Sequence, residues 1–145
     1  MQRVREARVA VDGAVVGEIG PGLCVLLGVA ATDTEADADA LYRKIVGLRV
    51  FADDQGRFAH PVDEVGGALL VVSQFTLHAD TSRGRRPSFT TAAPAKHARS
   101  LYDYFVTRAR TGPVPVATGQ FQAHMALALV NDGPVTIILD TREAA

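Results

Sequence analysis

In the stretch VNDGPVTIILD, residues 130–140, a polar Asn-Asp-Gly-Pro segment separates two apolar runs that are typical of β-strands, one ending at Val130 and the other beginning at Val135. Pro134 has no backbone N–H to donate to a sheet, yet it stands at the entrance of the second run, residues 135–139. Gly-Pro pairs favour turns, and only about one X–Pro bond in twenty is cis in folded proteins. The stretch therefore predicts two strands joined by a turn, and it leaves open a further role for the proline.

Upstream of this stretch, the hydrophobic pattern predicts two helices and seven or so strands. One helix runs from about residue 35 to 47, after a Thr34/Asp37 pair that resembles a capping box, and the other follows Pro94 and stops at Gly112-Pro113. The strand candidates are residues 7–11, 14–19, 22–29, 48–53, 67–77, 114–121, 125–130 and 135–139. Hairpin-length connections, such as the Asp12-Gly13 turn, favour an α+β fold with a largely antiparallel, barrel-like β-sheet.

Length and composition indicate a single domain over residues 1–145. A chain of 145 residues can bury roughly two thirds of its unfolded surface in one core. No apolar run approaches the roughly 18 residues that span a bilayer, so we expect no membrane partner. The net charge of the chain is −1, which excludes a polycation that binds nucleic acid nonspecifically over its whole surface. Any RNA contact must therefore be local, and no DNA partner is expected. One cysteine, Cys24, and no signal-peptide pattern favour a reducing cytoplasm.

The common catalytic templates are absent from the sequence. It contains no Gly-x-Ser-x-Gly elbow, phosphate-binding loop, Gly-x-Gly-x-x-Gly or His-Glu-x-x-His motif. Its four histidines lie far apart in the chain, and a single cysteine adds little to them. We therefore expect neither a metal nor a cofactor.

Two polar features near the middle of the chain carry more information. Ser73, Gln74 and Thr76 follow the apolar run LLVV, where the strand is expected to leave the core. Their side chains either bond the backbone of a sheet edge or meet a ligand. The basic group at Arg83, Arg85 and Arg86 is either a solvated loop or an anion site.

Two segments together resemble the signature segments of the D-aminoacyl-tRNA deacylase family, LLVVSQFTLHADTSRGRRPSF (residues 69–89) and MALALVNDGPVTIILD (residues 125–140). The similarity extends almost end to end, through VDGAVVGEIGPGLCVLLGV, DTEADADALYRKIVGLRVF and AAPAKHARSLYDYFV. Family members usually open with a longer MRAVIQRV-like segment than the MQRV found here, so we expect either that the first strand is shortened or that its true start lies upstream, and the anchoring of Arg3 depends on which holds.

This resemblance implies a homodimer that acts on the aminoacylated 3′ end of tRNA, with active sites at the subunit interface. It places the pocket floor at Ser73, Gln74, Phe75 and Thr76. It implies that Gly133 and Pro134 are joined by a cis bond and reach into the partner's pocket, and that Arg3 holds them. It also implies that Phe121 and Met125 line the pocket of the terminal adenine.

The substrate class suggests a mechanism. Attack on the ester creates an oxyanion, for which the backbone N–H groups of Phe75 and Thr76 are candidate donors. Because no base is assignable beside Thr76, we expect the substrate's 2′-hydroxyl and a water to act, and Thr76 to position. Carbonyls of the Gly-Pro pair would exclude L side chains, so glycyl-tRNA(Ala) should also be cleaved.

The basic group gains weight from the same resemblance, since Arg83, Arg85 and Arg86 could meet phosphates near the acceptor end. Two alternatives remain: a non-catalytic module that binds the tRNA 3′ end, and an unrelated hydrolase with a Ser or Thr nucleophile.

Overall fold

The computed structural model describes residues 1–143 of the chain, and over that range it contains two α-helices, eight β-strands and one 3-10 turn. The elements in chain order are β1 (Gln2–Val11), β2 (Ala14–Ile19), β3 (Gly22–Leu27), α1 (Glu35–Gly47), β4 (Phe51–Ala52), β5 (Phe58–His60), β6 (Ala68–Ser73), the 3-10 turn (Phe75–His78), α2 (Ala95–Arg110), β7 (Val116–Thr118) and β8 (Ala126–Thr136).

The main sheet is mixed, with strand order β2-β1-β3-β6-β7 and with β8 paired to β1. β1 runs antiparallel to β2, β3 and β8, whereas β6 runs parallel to both β3 and β7. The prediction of a largely antiparallel sheet was therefore wrong for the central strands. The reason is that α1 lies in the connection from β3 to β6 and α2 in the connection from β6 to β7, and such crossovers allow parallel pairing.

The central strands are buried on both faces, as the apolar run 22–29 predicted. Alternate residues of β3 and β6 face opposite sides. Leu23 and Leu69 pack with the helices, in a cluster that includes Ile45 and Phe105. The neighbouring residues of both strands, Cys24 among them, pack on the other face against β1. Two cores, one under the helices and one inside the curled sheet, thus share the same two strands.

The two outer strands of the sheet, β2 and β7, approach each other and nearly close it into a barrel. A Cβ atom at Gly17 would lie 2.1 Å from the carbonyl oxygen of Thr118, so only glycine permits this approach of the two backbones. The predicted barrel-like form is confirmed in this respect.

Several predicted boundaries are confirmed. The helix expected over 35–47 is α1, whose Asp37 carboxylate accepts a 2.8 Å hydrogen bond from the Thr34 backbone N–H. The helix expected after Pro94 is α2. The hairpin turns at Asp12-Gly13, both with positive φ. The first strand, β1, has ten residues and begins at Gln2.

The expectations near Pro134 were wrong in an informative way. β8 is one strand that runs through the Asn-Asp-Gly-Pro segment, and residues 137–139 lie outside it. Asn131 of β8 is paired with Val4 of β1, and the next paired residue of β8, Thr136, is paired with Gln2. An advance of five residues along β8 therefore corresponds to an advance of only two residues along β1. The extra residues of β8 form a bulge, and in a bulge the proline does not need to donate a hydrogen bond to β1.

Four other strand candidates are shorter than expected. The run 22–29 ends as a strand at Leu27, 67–77 ends at Ser73, 48–53 contributes only β4, and 114–121 contributes only β7. Within residues 1–143, none of the helices is both long and apolar enough to cross a membrane.

Candidate active site

The segment Ser73–Thr76 lies where the central strand β6 leaves the core. Ser73 pairs in register with Leu27 of β3, and the next backbone N–H, that of Gln74, donates to the Leu27 carbonyl at 2.8 Å. The chain then turns through the 3-10 turn, where Phe75 is 57% exposed. A buried strand thus fixes the path of the segment, and its polar residues open to the surface.

The polar groups of this segment, which we call the floor (Ser73–Thr76), are ordered locally. The Gln74 side-chain amide donates to the Thr76 hydroxyl. Phe75 and Thr76 are the first two residues of the 3-10 turn, and the first N–H groups of a helical turn have no acceptor within it. The floor can therefore present two adjacent backbone donors to an oxygen that gains negative charge.

The basic residues lie in a loop that is tied back to the floor. Asp80 and Ser88 exchange two backbone hydrogen bonds, of 2.7 and 2.9 Å, which close the arginine loop (residues 81–87) at its base. Directly after this pair, the ring of Phe89 contacts the ring of Phe75 edge-on, with 5.0 Å between centroids. Arg83, Arg85 and Arg86 are exposed on the loop.

Phe121 and Met125 lie beside the strand that leads into the floor. The Gly119 N–H donates to the Val71 carbonyl of β6 at 3.2 Å, which places the β7–β8 connection against that strand. The Met125 sulfur accepts the Gln120 N–H at 3.4 Å. The structure thus brings the residues expected to hold adenine to the same end of β6 as the floor.

Arg3 is bound to the segment that contains the Gly-Pro pair. Its Nε donates to the Asp132 carbonyl at 2.9 Å, its Nη1 donates to the Val50 carbonyl at 2.7 Å, and the side chain is only 11% exposed. The Gly133–Pro134 peptide bond is cis, and both residues are exposed. A Cβ atom at Gly133 would lie 3.2 Å from Arg3 Nη2, so the guanidinium packs directly against this glycine.

Within one chain the structure does not bring the Gly-Pro pair to the floor. Arg3, which holds the pair, is in register with Leu23 of β3, whereas Ser73 of the floor is in register with Leu27. Four residues of strand separate these positions by about 13 Å. The two motifs therefore lie at opposite ends of β3.

The described part of the chain offers no evident metal site, since no three His, Cys, Asp or Glu side chains come together within residues 1–143. Burial raises the pKa of the Cys24 thiol to about 11, so this cysteine is protonated at neutral pH. The Thr76 hydroxyl accepts a hydrogen bond from the side-chain amide of Gln74, and an amide cannot act as a general base.

Sequence reasoning missed three residues that touch the candidate site. Phe89 closes the quoted signature segment, and its contact with Phe75 had no signal in the sequence. Asp132 offers its carbonyl to Arg3 across 129 residues of chain, a pairing that only the fold reveals. His78 lies against Gly28, where an added Cβ would come 3.2 Å from its Nε2.

Comparison with known proteins assigns the family. The family model described as D-Tyr-tRNA(Tyr) deacylase matches residues 1–140. The chain belongs to this family. The predicted resemblance is thereby confirmed, and the deacylase-family chain is a hydrolase, as curated relatives are named D-aminoacyl-tRNA deacylase.

Relatives of this deacylase-family chain match it over nearly its full length. A D-aminoacyl-tRNA deacylase of Azoarcus sp. (strain BH72) is 60% identical over 139 residues, which cover 96% of this chain and 92% of the relative. The solved structure titled c-Myc DNA Unwinding Element Binding Protein superposes with a TM-score of 0.90 at 39% identity, covering 96% and 95% of the two chains.

A probable eukaryotic D-amino acid tRNA deacylase shares the fold, with a TM-score of 0.79 at 16% identity and 92% coverage of both chains.

Proposed function

We propose that this chain hydrolyses the ester bond between a D-amino acid and the terminal ribose of tRNA. The family match over residues 1–140 supports the reaction class. The observation that carries the proposal is the floor, where the first two backbone N–H groups of the 3-10 turn have no acceptor within the turn and lie at the exposed end of a buried strand. Such donors suit the tetrahedral intermediate of acyl transfer.

The working unit in this proposal is a homodimer of single-domain subunits in the cytoplasm, and each active site combines two chains. The Gly-Pro pair is exposed and lies about 13 Å along β3 from the floor of its own chain. A two-fold contact places the same surface patches of both subunits against each other. It would therefore bring each Gly-Pro pair to the floor of the partner and create two equivalent sites.

The proposed chemistry uses only water and the substrate. The ribose 2′-hydroxyl orients a water, whose oxygen attacks the ester carbonyl. The negative charge that develops on the carbonyl oxygen is stabilised by the N–H groups of Phe75 and Thr76, at roughly 3–4 kcal/mol for a well-aimed donor. The C–O bond to the ribose then breaks, and the 3′-oxygen takes up the proton that the attacking water loses, relayed by the 2′-hydroxyl, so that a free amino acid and a tRNA with a 3′-hydroxyl are released. Thr76 positions groups on the floor and forms no covalent intermediate.

Chirality is selected by backbone exclusion in this proposal. Carbonyl oxygens of Gly133 and Pro134 from the partner subunit accept hydrogen bonds from the α-ammonium group. With the ester carbonyl over the floor, the side chain of a D-amino acid points outward, whereas that of an L-amino acid would strike main chain. Glycine has no side chain to exclude, so glycyl-tRNA(Ala) is a substrate as well.

The tRNA end is held by two further groups. The terminal adenine stacks at Phe121 and Met125, beside the floor. Arg83, Arg85 and Arg86 meet phosphates of the acceptor end. The support for this is that the arginine loop is closed at its base and that Phe89, directly after it, contacts Phe75 of the floor.

The test is the survival of the ester in D-tyrosyl-tRNA, L-tyrosyl-tRNA and glycyl-tRNA incubated with the protein. The proposal predicts rapid loss of the D and glycyl esters and survival of the L ester. Equal survival of the D and L esters would instead support a non-catalytic module that binds the tRNA end. Survival of the glycyl ester under conditions that clear the D ester would contradict backbone exclusion.

A further inference from the structure

An arginine outside the arginine loop lies over the expected adenine platform. The guanidinium carbon of Arg99, in the second turn of α2, is 5.5 Å from the centre of the Phe121 ring. This distance is within the range of a cation–π contact. The Arg99 side chain is 60% exposed, so its charge remains open to solvent and to a ligand.

The Phe121 ring is also held by a buried neighbour. The ring of Tyr102 packs against it with 5.9 Å between centroids, and the Tyr102 hydroxyl donates to the Val71 carbonyl at 2.8 Å. Tyr102 is buried in the core, whereas Arg99 is exposed. Of the two contacts on Phe121, the one with Arg99 is therefore the one that can rearrange when a base arrives.

The guanidinium has donors to spare. Its partner in the chain is the Asp103 carboxylate, at 3.8 Å and four residues along the same helix. An exposed pair at this distance holds the side chain only weakly. A planar fork of N–H donors that is only loosely paired suits bidentate binding of a phosphate.

We propose that Arg99 binds the phosphodiester of the nucleotide whose base rests on Phe121. The proposal rests on the proposed function, because it takes Phe121 as the adenine platform. A base on this ring brings its own sugar-phosphate beside the first turns of α2, where the side chain of Arg99 can exchange the aromatic contact for the phosphate. Arg99 would thus bind the phosphodiester of the terminal nucleotide, while the arginine loop meets other phosphates of the acceptor end.

The test compares Arg99→Ala with Arg110→Ala, which removes another exposed arginine at the far end of the same helix. On D-tyrosyl-tRNA, Arg99→Ala should raise KM about tenfold with little change in kcat, and it should lower the salt slope of tRNA binding by about one. Arg99→Lys should recover part of the affinity. Arg110→Ala should match the unchanged protein.

A D-tyrosyl ester of adenosine, which has no phosphate, separates phosphate binding from a structural role. The proposal predicts that Arg99→Ala cleaves this ester as well as the unchanged protein does. Equal losses on both substrates, or the same KM for Arg99→Ala and Arg110→Ala, would overturn it. Fluorescence polarisation with uncharged tRNA measures the same affinity difference without hydrolysis. If the unchanged protein were inactive, the proposed reaction would fail, while this binding assay would still decide the role of Arg99.

Discussion

The floor and the Gly-Pro pair are held by different means. The floor follows a strand whose residues Leu69–Val72 are at most 3% exposed, so core packing fixes where its backbone donors lie. The Gly-Pro pair lies in a bulge of the outer strand β8, where the Arg3 guanidinium and its hydrogen bonds to two carbonyls anchor the segment. Core packing therefore fixes the position of the floor, and the side chain of Arg3 fixes the position of the Gly-Pro pair.

The positions of the two motifs differ as much as their supports. Within one chain the two motifs lie at opposite ends of β3. Under the proposed function a second subunit brings them together, so each subunit supplies two half-sites, and damage to either half should lower the same activity.

The largest effect is expected from Gly133→Ala, which adds a methyl group between the Gly-Pro pair and its anchor. The new Cβ would lie 2.9 Å from Val135 Cγ2 and 3.2 Å from Arg3 Nη2, at a φ of +131° that side chains rarely adopt. Displaced carbonyls should lower kcat/KM on D-tyrosyl-tRNA by about 100-fold or more. Gly20→Ala, where the space around the added atom is open, is the control. Full activity of Gly133→Ala would show that this half-site is dispensable.

A smaller loss is expected on the floor from Thr76→Ala. The change removes the acceptor of the Gln74 amide but keeps both backbone N–H groups, so kcat should fall only about tenfold. Exposed Thr107 on α2 supplies the matched control, Thr107→Ala. If Thr76→Ala lost all activity while remaining folded, a threonine nucleophile would replace the mechanism proposed here.

A loss of similar or lesser size should follow Phe89→Ala, which removes the ring that supports Phe75. Because Phe89 acts through the floor, the effect should fall on kcat more than on KM, by several-fold to about tenfold. Phe89→Tyr keeps the edge-on contact and should restore the rate. If Phe89→Tyr did not restore the rate although its melting temperature was unchanged, Phe89 would not act through the floor.

The smallest effect is expected from Asp37→Asn, in the capping box at the start of α1. A hydrogen bond from the Thr34 backbone N–H lowers the pKa of the Asp37 carboxyl below its ordinary value of 3.8, so the stabilisation is fully present above that pH and is lost as the pH falls through the lowered pKa. The change should cost about 0.5 kcal/mol at pH 7 and progressively less as the pH falls below 3.8, measured by urea unfolding. Activity should not change, and a loss of activity would mean that the helix couples to the site.

Local patterns predicted the helices and the first hairpin because their signals are local. Thr34 with Asp37 starts α1, Pro94 starts α2, and Asp12-Gly13 turns the hairpin. The parallel pairing of β3 with β6 and of β6 with β7 depends on how helices cross the sheet, and no short segment encodes that order. The bulge in β8 is equally non-local, since it exists only against β1.

For the candidate site, the motifs identified the residues but not the arrangement. Ser73–Thr76 and Gly133-Pro134 were found as polar breaks in apolar runs, which is visible in one sequence. Their separation along β3 and the hold of Arg3 on Asp132 and Val50 are tertiary facts. The contacts Phe75–Phe89 and Arg99–Phe121 cannot be predicted from the hydrophobic periodicity of the sequence.

The most direct test of the shared site mixes two inactive subunits. Phe75→Pro deletes one floor donor at the first position of the turn, which accepts proline, and Gly133→Ala disables the other half-site. The two chains are co-expressed with different affinity tags, and heterodimers are purified through both tags. One of the two sites then combines an intact floor with an intact Gly-Pro pair, so the account predicts about half of the unchanged activity on D-tyrosyl-tRNA. Heterodimers as inactive as either parent would contradict it.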